Sequence, residues 1–278
     1  MDPRVWRQVN VAFPSWTEAE HTAVTHLAPL LAKAEADRLI TAWFFMRKTP
    51  CWRVRYVSSD DRTQAHLHNH LKDLIQQGHI DTATEVIYEP EPRAFGGTSA
   101  MACAHDLFHL DSRHLLNHLV RSPGTEHRRE LSILLCTILL RAAGLDWYEQ
   151  GDVWARVADH RDLPDLISPE RRPTLKASLL RLMGVDVTAL MRDGAALAFA
   201  AEWSAAFATA GRELAGLAAD GRLNRGLRAV LAHHVIFAWN RLGMPYTAQA
   251  VLAHTAKEVV FGCDPTAPEL DGTRSERR

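Results

Sequence analysis

The sequence predicts an α+β protein in which a small antiparallel sheet unit is followed by a larger helical portion. Three observations predict this class. Over the first ninety residues, short runs with strand-like alternation interchange with stretches of helical spacing. Residues 90–98 then concentrate proline and glycine, which marks an irregular connection. After it, apolar residues recur at helical spacing almost throughout. We therefore expect one domain over 1–263, with a sheet-containing part at 1–89 and a helical part at 99–263.

Four strand candidates and two helix candidates fill the sheet-containing part. Pro14 ends the first strand, and Thr17 with Glu20 has capping-box spacing for the helix that follows. A short turn around Pro50 joins two strands into a hairpin. The order β-α-β-β-α-β is that of the split, ferredoxin-like arrangement. We expect strands at 5–13, 41–47, 52–58 and 82–88, and helices at about 17–31 and 61–77.

The remainder of the chain is predicted to be helical as far as residue 261. Gly194 and Gly211 are candidate break points inside one long helical stretch, because glycine weakens a helix interior. The tail at 264–278 is polar and contains two prolines, so we expect it to be disordered. The expected helices are about 99–119, 126–143, 146–158, 170–182, 186–218, 223–241 and 245–261.

The overall composition excludes several classes of protein. The 278 residues include 32 basic and 33 acidic side chains, a balance that argues against a general nucleic-acid binder or a membrane-surface protein. No apolar run approaches the roughly 20 residues that a membrane-spanning helix needs. The four cysteines are scattered without a CxxC pair, as in a reduced compartment. We therefore expect a cytoplasmic protein that contacts neither membrane nor nucleic acid directly.

Arg53 and Arg55 are the first candidates for a functional site. Residues two apart in a strand point to the same face of a sheet, so the two guanidinium groups are expected side by side. Adjacent cations repel each other unless an anion or a carboxylate lies between them, and guanidinium binds both carboxylate and phosphate. The pair predicts an anion site on the sheet. A solvated strand face, or ion pairs to nearby acids, is the alternative.

The connection between the two parts is the second candidate. It carries Glu91 and Arg93, and it ends in the pair Gly96 and Gly97, which allows backbone geometry that side chains forbid. Exposed N–H groups there would form an anion-binding nest before the next helix. A plain connecting loop is the alternative.

Histidines supply further candidates. His105 and His109 are four apart on one helical face, which is metal-ligand spacing, but the segment lacks the glutamate that makes HExxH specific. We therefore expect no metal, and no other cofactor. His233 and His234, in a late helix, are candidates for a general base, with packing at the edge of the core as the alternative.

Several of these stretches together resemble a known family. Residues 43–47 (WFFMR) and 52–56 (WRVRY) are similar to a WFFIRY strand followed by HLRLRF, and 88–97 is similar to YEPE followed by RYGG. Asn240 and Arg241 match a late NR pair. The family is the thiopeptide-type bacteriocin biosynthesis domain. It occurs as the C-terminal elimination domain of class I lanthipeptide dehydratases and as stand-alone proteins. The remaining matches lie on the helix after the glycine pair and are Met101, His105, Phe108, Asp111 and Ser112.

The resemblance implies a reaction and its partners. A partner protein glutamylates Ser or Thr of a precursor peptide, using glutamyl-tRNA, and the elimination domain then removes the α-proton and expels glutamate. The expected partners are a precursor peptide with its leader and a separate glutamyl-tRNA-dependent glutamylation protein, because 278 residues leave no room for that activity. A homodimer is an option that the sequence leaves open.

The resemblance also assigns roles to residues. Arg53 and Arg55 match the family's arginine pair and would handle charge. The arginine of RYGG is replaced by Ala94, which makes Arg93 a candidate substitute. A histidine expected two residues before the NR pair is replaced by Ala238, so His233 and His234 become the candidates for proton transfer. The residues expected to bind substrate are Glu91, Gly96, Gly97, His105, Asn240 and Arg241.

Two other functions remain open at this point. Thiopeptide pyridine synthases share the family fold and join two dehydroalanines by a formal [4+2] cycloaddition, in which positioning of the peptide dominates. The alanine at 238 favours this reaction, whereas Arg53 and Arg55 favour elimination. A subunit that binds the leader peptide without catalysis is the third alternative.

Overall fold

The α+β class is confirmed by the structure, a computed structural model that describes residues 4–58, 61–121, 127–163 and 172–262. The predicted tail at 264–278 lies outside these ranges, as do the first residues of the helices predicted at 126 and 170. Within them, one four-stranded antiparallel sheet precedes a larger set of helices.

The sheet contains strands β1 to β4 in the order β2-β3-β1-β4, and every neighbouring pair is antiparallel. β1 and β3 are therefore the central strands, and β2 and β4 are the edges. The finer ferredoxin-like assignment stays a prediction. The strands are β1 Trp6–Ala12, β2 Ile40–Lys48, β3 Cys51–Ser58 and β4 Thr82–Val86.

One face of the sheet packs against the helices that connect its strands. Val9 and Val54 contact Leu31 and Leu67 there, and this layer is continuous with the main core of the protein. The helices are α1 Ala19–Thr22, a π-helical turn Ala23–Leu27, α2 Ala28–Ala36 and α3 Asp61–Gln76.

The capping box predicted from Thr17 and Glu20 is wrong. Glu18 occupies the N-cap position of α1 and makes no capping hydrogen bond through its side chain. The Glu20 carboxylate instead pairs with Arg47 and Arg128, whose guanidinium groups are nearly buried. A carboxylate that is paired with two cations is not available to cap the N-terminus of its own helix. This triad joins α1 to the end of β2 and to the helical part.

The helical part follows the predicted order, with one region that differs. The stretch predicted as a helix at 186–218 is interrupted, and Gly194, with φ +80, lies in the break as expected. The last two long helices begin at 227 and 246. The elements are α4 Thr98–Arg121, α5 Arg128–Ala142, α6 Trp147–Ala158, α7 Arg172–Gly184, α8 Val187–Leu190, a 3-10 turn Ala198–Ala200, α9 Ala201–Ala219, α10 Leu227–Leu242 and α11 Tyr246–Phe261.

Helix α4 covers the outer edge of the sheet. The backbone N–H of Phe45 donates to Ser112 Oγ at 3.3 Å, and His109 Nδ1 lies 2.9 Å from the carbonyl oxygen of Trp43. An uncovered edge strand exposes a row of unpaired backbone groups, which invites association with other chains. Side chains of α4 supply partners for part of that row, and they fix the helix against β2.

No helix within the described ranges combines the length and the apolar character that crossing a membrane would require.

Gly211 lies within α9, where it allows close packing, and the prediction that it breaks a helix is wrong. A Cβ atom at this position would collide with the carbonyl oxygen of Leu139 on α5. We expect Gly211→Ala to destabilise the protein by about 1–3 kcal/mol, because two backbones must move apart. Urea denaturation measures this change.

Gly216 provides the matched control, because it lies on the same helix and a Cβ there meets nothing within 4 Å. Gly216→Ala should stabilise the protein by about 0.5–1 kcal/mol through helix propensity. Equal effects of the two substitutions would contradict the close packing of α5 and α9.

Candidate functional site

The second face of the sheet carries the predicted arginine pair. Arg55 pairs in register with Gln8 on β1 and Phe44 on β2, and Arg53 pairs with Asn10 and Met46. We call this surface the arginine face. It is formed by Gln8, Asn10, Phe44, Met46, Arg53 and Arg55, and α4 and α10 pack against its β2 side.

Arg55 is held in a fixed position on this face. Its Nε donates to Gln8 Oε1 at 2.7 Å, and its Cζ lies 4.6 Å from the ring centroid of Tyr88 and 5.1 Å from that of Phe44. The residue is only 8% exposed. Aromatic faces attract a guanidinium group electrostatically, so the two rings and the glutamine amide orient it.

The arginine face carries two neighbouring cationic side chains, Arg53 and Arg55. Burial lowers the pKa of Arg55 to about 10, and the charge of Arg53 acts in the same direction, while Tyr88 and Glu91 oppose both. Within the described ranges, no carboxylate oxygen lies within 4 Å of either guanidinium, and Arg53 Nε is buried without a hydrogen-bond partner. Two adjacent cations without a described carboxylate between them are the arrangement expected of an anion site, which stays a prediction.

Tyr88 and His105 form a hydrogen-bonded pair beside Arg55. The Tyr88 hydroxyl lies 2.9 Å from His105 Nε2. The imidazole is 2% exposed and packs on Trp6, at 4.6 Å between ring centroids, and on Phe44 at 5.8 Å. His105 was predicted to bind substrate, and its burial leaves almost no surface for direct contact, whereas its partner Tyr88 is only half-buried.

The connecting loop packs against α10. Asn224 N donates to Gly96 O at 3.0 Å, and Arg225 Nη1 donates to Ala94 O at 3.0 Å. Gly96 has φ +89, and a Cβ there would lie 2.8 Å from Val230 Cγ2. The first glycine is therefore required for packing. The loop is fixed by the segment that precedes α10.

The predicted anion nest is not supported at Gly97, because its N–H donates to Pro92 O at 2.7 Å. Glu91 and Arg93 are both exposed. The charge of Glu91 raises the pKa of Arg55, which locates this carboxylate on the side of the arginine face.

Arg241, predicted to bind substrate, is instead a buried structural residue. It is fully buried, and its Nε donates to Asp111 Oδ2 at 2.5 Å while Asp111 Oδ1 accepts from Trp203 Nε1 at 2.8 Å. The guanidinium also lies 4.4 Å from the ring centroid of Phe108. A side chain without exposed surface cannot contact a peptide. The burial therefore gives no support to the expected binding role, and the sequence pattern does not reveal the partner on α4.

Asn240 also serves packing between helices. Its Oδ1 accepts from Gln249 Nε2 at 3.1 Å, and the same amide nitrogen donates to Met244 O at 2.8 Å. These contacts hold α10 against α11, and none of them involves the arginine face.

The two candidate bases on α10 differ in their access to solvent. His234 is 1% exposed, both ring nitrogens lack a hydrogen-bond partner within the described ranges, and burial lowers its pKa to about 3. His233 is half-buried, and burial with the nearby Arg225 lowers its pKa to about 4. Only His233 is therefore accessible, and it is neutral at pH 7.

Aromatic rings separate the histidines of α10 from the arginine face. Phe95 lies 5.5 Å from His233 and 5.4 Å from Phe108 between ring centroids, and Phe108 lies 5.3 Å from Phe44. The structure thus brings Arg53, Arg55, Tyr88 and His105 together, and it places His233 beyond this apolar layer. Tyr88 was not predicted as a site residue, although it stands in the YEPE-like motif.

Among the described residues, no group of three or more potential metal-ligating side chains converges on one point.

Comparison with known proteins identifies the family. The chain belongs to the family described as lantibiotic biosynthesis dehydratase, C-terminal, which matches residues 6–260. This membership supports a role in the biosynthesis of ribosomal peptide natural products. A search of curated proteins finds no match.

Solved structures share the fold. The tRNA-dependent lantibiotic dehydratase MibB from Microbispora sp. 107891 is 20% identical, with TM-score 0.62 over 92% of this chain, which spans 28% of MibB. TsrL is 17% identical, with TM-score 0.61 over 95% of this chain and 100% of TsrL. The pyridine synthase TbtD from thiomuracin biosynthesis is 15% identical, with TM-score 0.58 over 92% of this chain and 97% of TbtD.

Removal of the Asp111 carboxylate tests the buried ion pair. Asp111→Ala leaves the Arg241 charge buried without its partner, which should cost about 3–5 kcal/mol of unfolding free energy. The double variant Asp111→Leu with Arg241→Met removes both charges and should recover much of that loss. Urea denaturation of the three proteins provides the comparison.

The surface pair of Arg228 with Glu149 is the control for this prediction. Arg228→Ala should cost less than about 1 kcal/mol, because the ions remain solvated. A similar loss for Asp111→Ala and Arg228→Ala would contradict the assigned role of Asp111.

The burial of His234 predicts a loss of stability in acid. Its pKa is lowered from 6.5 to about 3 in the folded protein, so the unfolded chain binds a proton in this window and the folded chain does not. The stabilisation is complete above pH 6.5 and is lost as the pH falls. One such group contributes a slope of at most about 1.4 kcal/mol per pH unit.

We expect His234→Leu to flatten the dependence of unfolding free energy on pH between 6.5 and 4. His70→Leu, at an exposed position, should leave the slope unchanged. An unchanged slope in His234→Leu would show that this imidazole titrates normally in the folded protein.

Proposed function

We propose that this chain eliminates glutamate from glutamylated Ser or Thr residues of a precursor peptide and so produces dehydroamino acids. The observation that carries the proposal is the pair of guanidinium groups on the arginine face, which no described carboxylate neutralises. A glutamyl ester brings carboxylate groups to the site and develops negative charge as it leaves.

The site supplies the physical requirements of an elimination. Arg55 is fixed by Gln8, Phe44 and Tyr88, so it need not reorganise when charge develops at the leaving group. Arg53 adds a second cation on the same face, and Glu91 stands near its edge. The substrate would reach this surface as an extended peptide already glutamylated by a separate protein that uses glutamyl-tRNA.

A second candidate function is the formal [4+2] cycloaddition of two dehydroalanines. Ala238 favours the cycloaddition, because it stands where the resemblance expects the histidine of elimination domains. The alanine is 2% exposed. A cycloaddition depends mainly on holding the two reacting groups together. The arginine face would then bind the peptide without expelling a leaving group.

The experiment supplies the purified protein with a glutamylated precursor peptide and measures free glutamate and the mass of the peptide. Elimination predicts release of glutamate and a peptide mass lower by one glutamate for each site. A peptide that already carries two dehydroalanines tests the alternative, since pyridine formation produces new ultraviolet absorbance. Glutamylated peptide that stays unchanged, although it binds the protein, would refute elimination.

Substitution of the arginine pair should reduce glutamate release. Arg53→Ala and Arg55→Ala each remove a cation aimed at the leaving group, and we expect kcat to fall by about 10²–10³. Arg55→Lys keeps the positive charge but loses the planar donor geometry. Its kcat should therefore lie between that of Arg55→Ala and that of the unsubstituted protein. Rates of glutamate release with saturating peptide provide the measurement.

Arg212 on α9 is exposed and supplies the control, because Arg212→Ala removes one positive charge far along the chain from the arginine face. Its kcat should equal that of the unsubstituted protein. If Arg53→Ala and Arg55→Ala bind precursor and release glutamate as fast as Arg212→Ala, the arginine face does not carry the chemistry.

A further inference from the structure

The hydrogen-bonded pair of Tyr88 and His105 is the feature that the charge-handling role of the arginine face does not use. Tyr88 is half-buried at the surface of this face, whereas His105 is 2% exposed behind it. Their 2.9 Å contact therefore joins a group that a peptide can reach to a group that it cannot. Such an arrangement can move a proton away from the substrate side without involving solvent.

The surroundings of Tyr88 and His105 stabilise the charges that a proton transfer would create, negative on the phenol and positive on the imidazole. Trp6 and Phe44 pack on the imidazole of His105, and aromatic rings stabilise a neighbouring cation. The Arg55 guanidinium lies 4.6 Å from the centroid of the Tyr88 ring, where it favours negative charge on the phenol. Transfer of the phenolic proton to Nε2 would thus be supported at both ends.

The histidines of α10 are poorly placed for the same task. His234 has almost no exposed surface, and His233 lies on the other side of the layer formed by Phe95 and Phe108. Neither has a described contact with Arg53 or Arg55. Tyr88, in contrast, contacts the fixed guanidinium directly.

We propose that Tyr88 is the catalytic residue that takes the α-proton of the glutamylated Ser or Thr, while its own phenolic proton passes to His105 Nε2. The electron pair of the C–H bond forms the new carbon–carbon double bond. The Cβ–O bond breaks, and glutamate leaves as a carboxylate opposite Arg53 and Arg55. His105 then returns its proton through Tyr88 to water. This inference rests on the proposed elimination, and His105 is its positioning residue.

Tyr88→Phe tests the relay with the least disturbance of structure, because the ring that contacts Arg55 is kept. We expect kcat for glutamate release to fall by about 10²–10⁴, the usual contribution of general acid–base catalysis, with KM for the peptide nearly unchanged. Tyr148→Phe is the control, since Tyr148 is 66% exposed on α6. Its kcat should be unaltered.

His105→Gln separates proton acceptance from a structural role. A glutamine amide can accept the hydrogen bond from Tyr88 but cannot take up the proton. A structural role predicts that glutamine rescues kcat relative to His105→Leu, whereas the relay predicts a loss as large as that of Tyr88→Phe. A peptide deuterated at the α-carbon should show a larger isotope effect on glutamate release in Tyr88→Phe, because proton removal becomes rate-limiting.

The outcomes distinguish the relay from the reaction itself. The unsubstituted protein is measured first, and a failure to release glutamate would overturn the proposed elimination together with the relay. If it releases glutamate and Tyr88→Phe retains kcat within about threefold, the elimination stands and the relay is refuted. A loss of kcat in both Tyr88→Phe and His105→Gln, with KM and thermal stability preserved, supports the relay.

Discussion

The buried ion pair between Asp111 and Arg241 is the constraint on which the arrangement of the site depends. It joins α4 to α10 in the interior, and Trp203 extends the connection to α9. Separating a buried ion pair leaves an uncompensated charge in the interior, so the pair favours one relative position of these helices. Because α4 also covers the edge of β2, the same pair fixes the wall beside the arginine face.

Two chemical environments result from this packing. On the sheet, Arg53 and Arg55 are held beside Tyr88 in a cationic surface. Behind it, Phe95 and Phe108 lie between the histidines of α10 and the sheet, and burial lowers the pKa of both His233 and His234. The sheet side thus has a hydrogen-bonded tyrosine and histidine of its own, apart from the histidines of α10.

Local patterns predicted the strands and the shared face of Arg53 and Arg55, since strand alternation fixes both. Long-range partners were not predictable in the same way. Arg241 looked like a binding residue, but its partner lies 130 positions earlier, and only folding reveals that the charge is satisfied. The capping box failed for a related reason, because Glu20 is drawn to Arg47 and Arg128. His233 and His234 also differ in burial, and the sequence alone offers no signal of that difference.

The attachment of the connecting loop to the segment before α10 makes the site depend on residues that come late in the chain. Gly96 and Ala94 are held by Asn224 and Arg225, which enter the chain more than a hundred residues later. Tyr88 and Glu91 lie on the same connection between β4 and α4, so these late residues also fix the part of the chain that carries them. The loop reaches its observed position beside the sheet only when the segment before α10 is in place. A chain truncated before residue 224 would therefore lack the backbone and side-chain contacts that hold this loop.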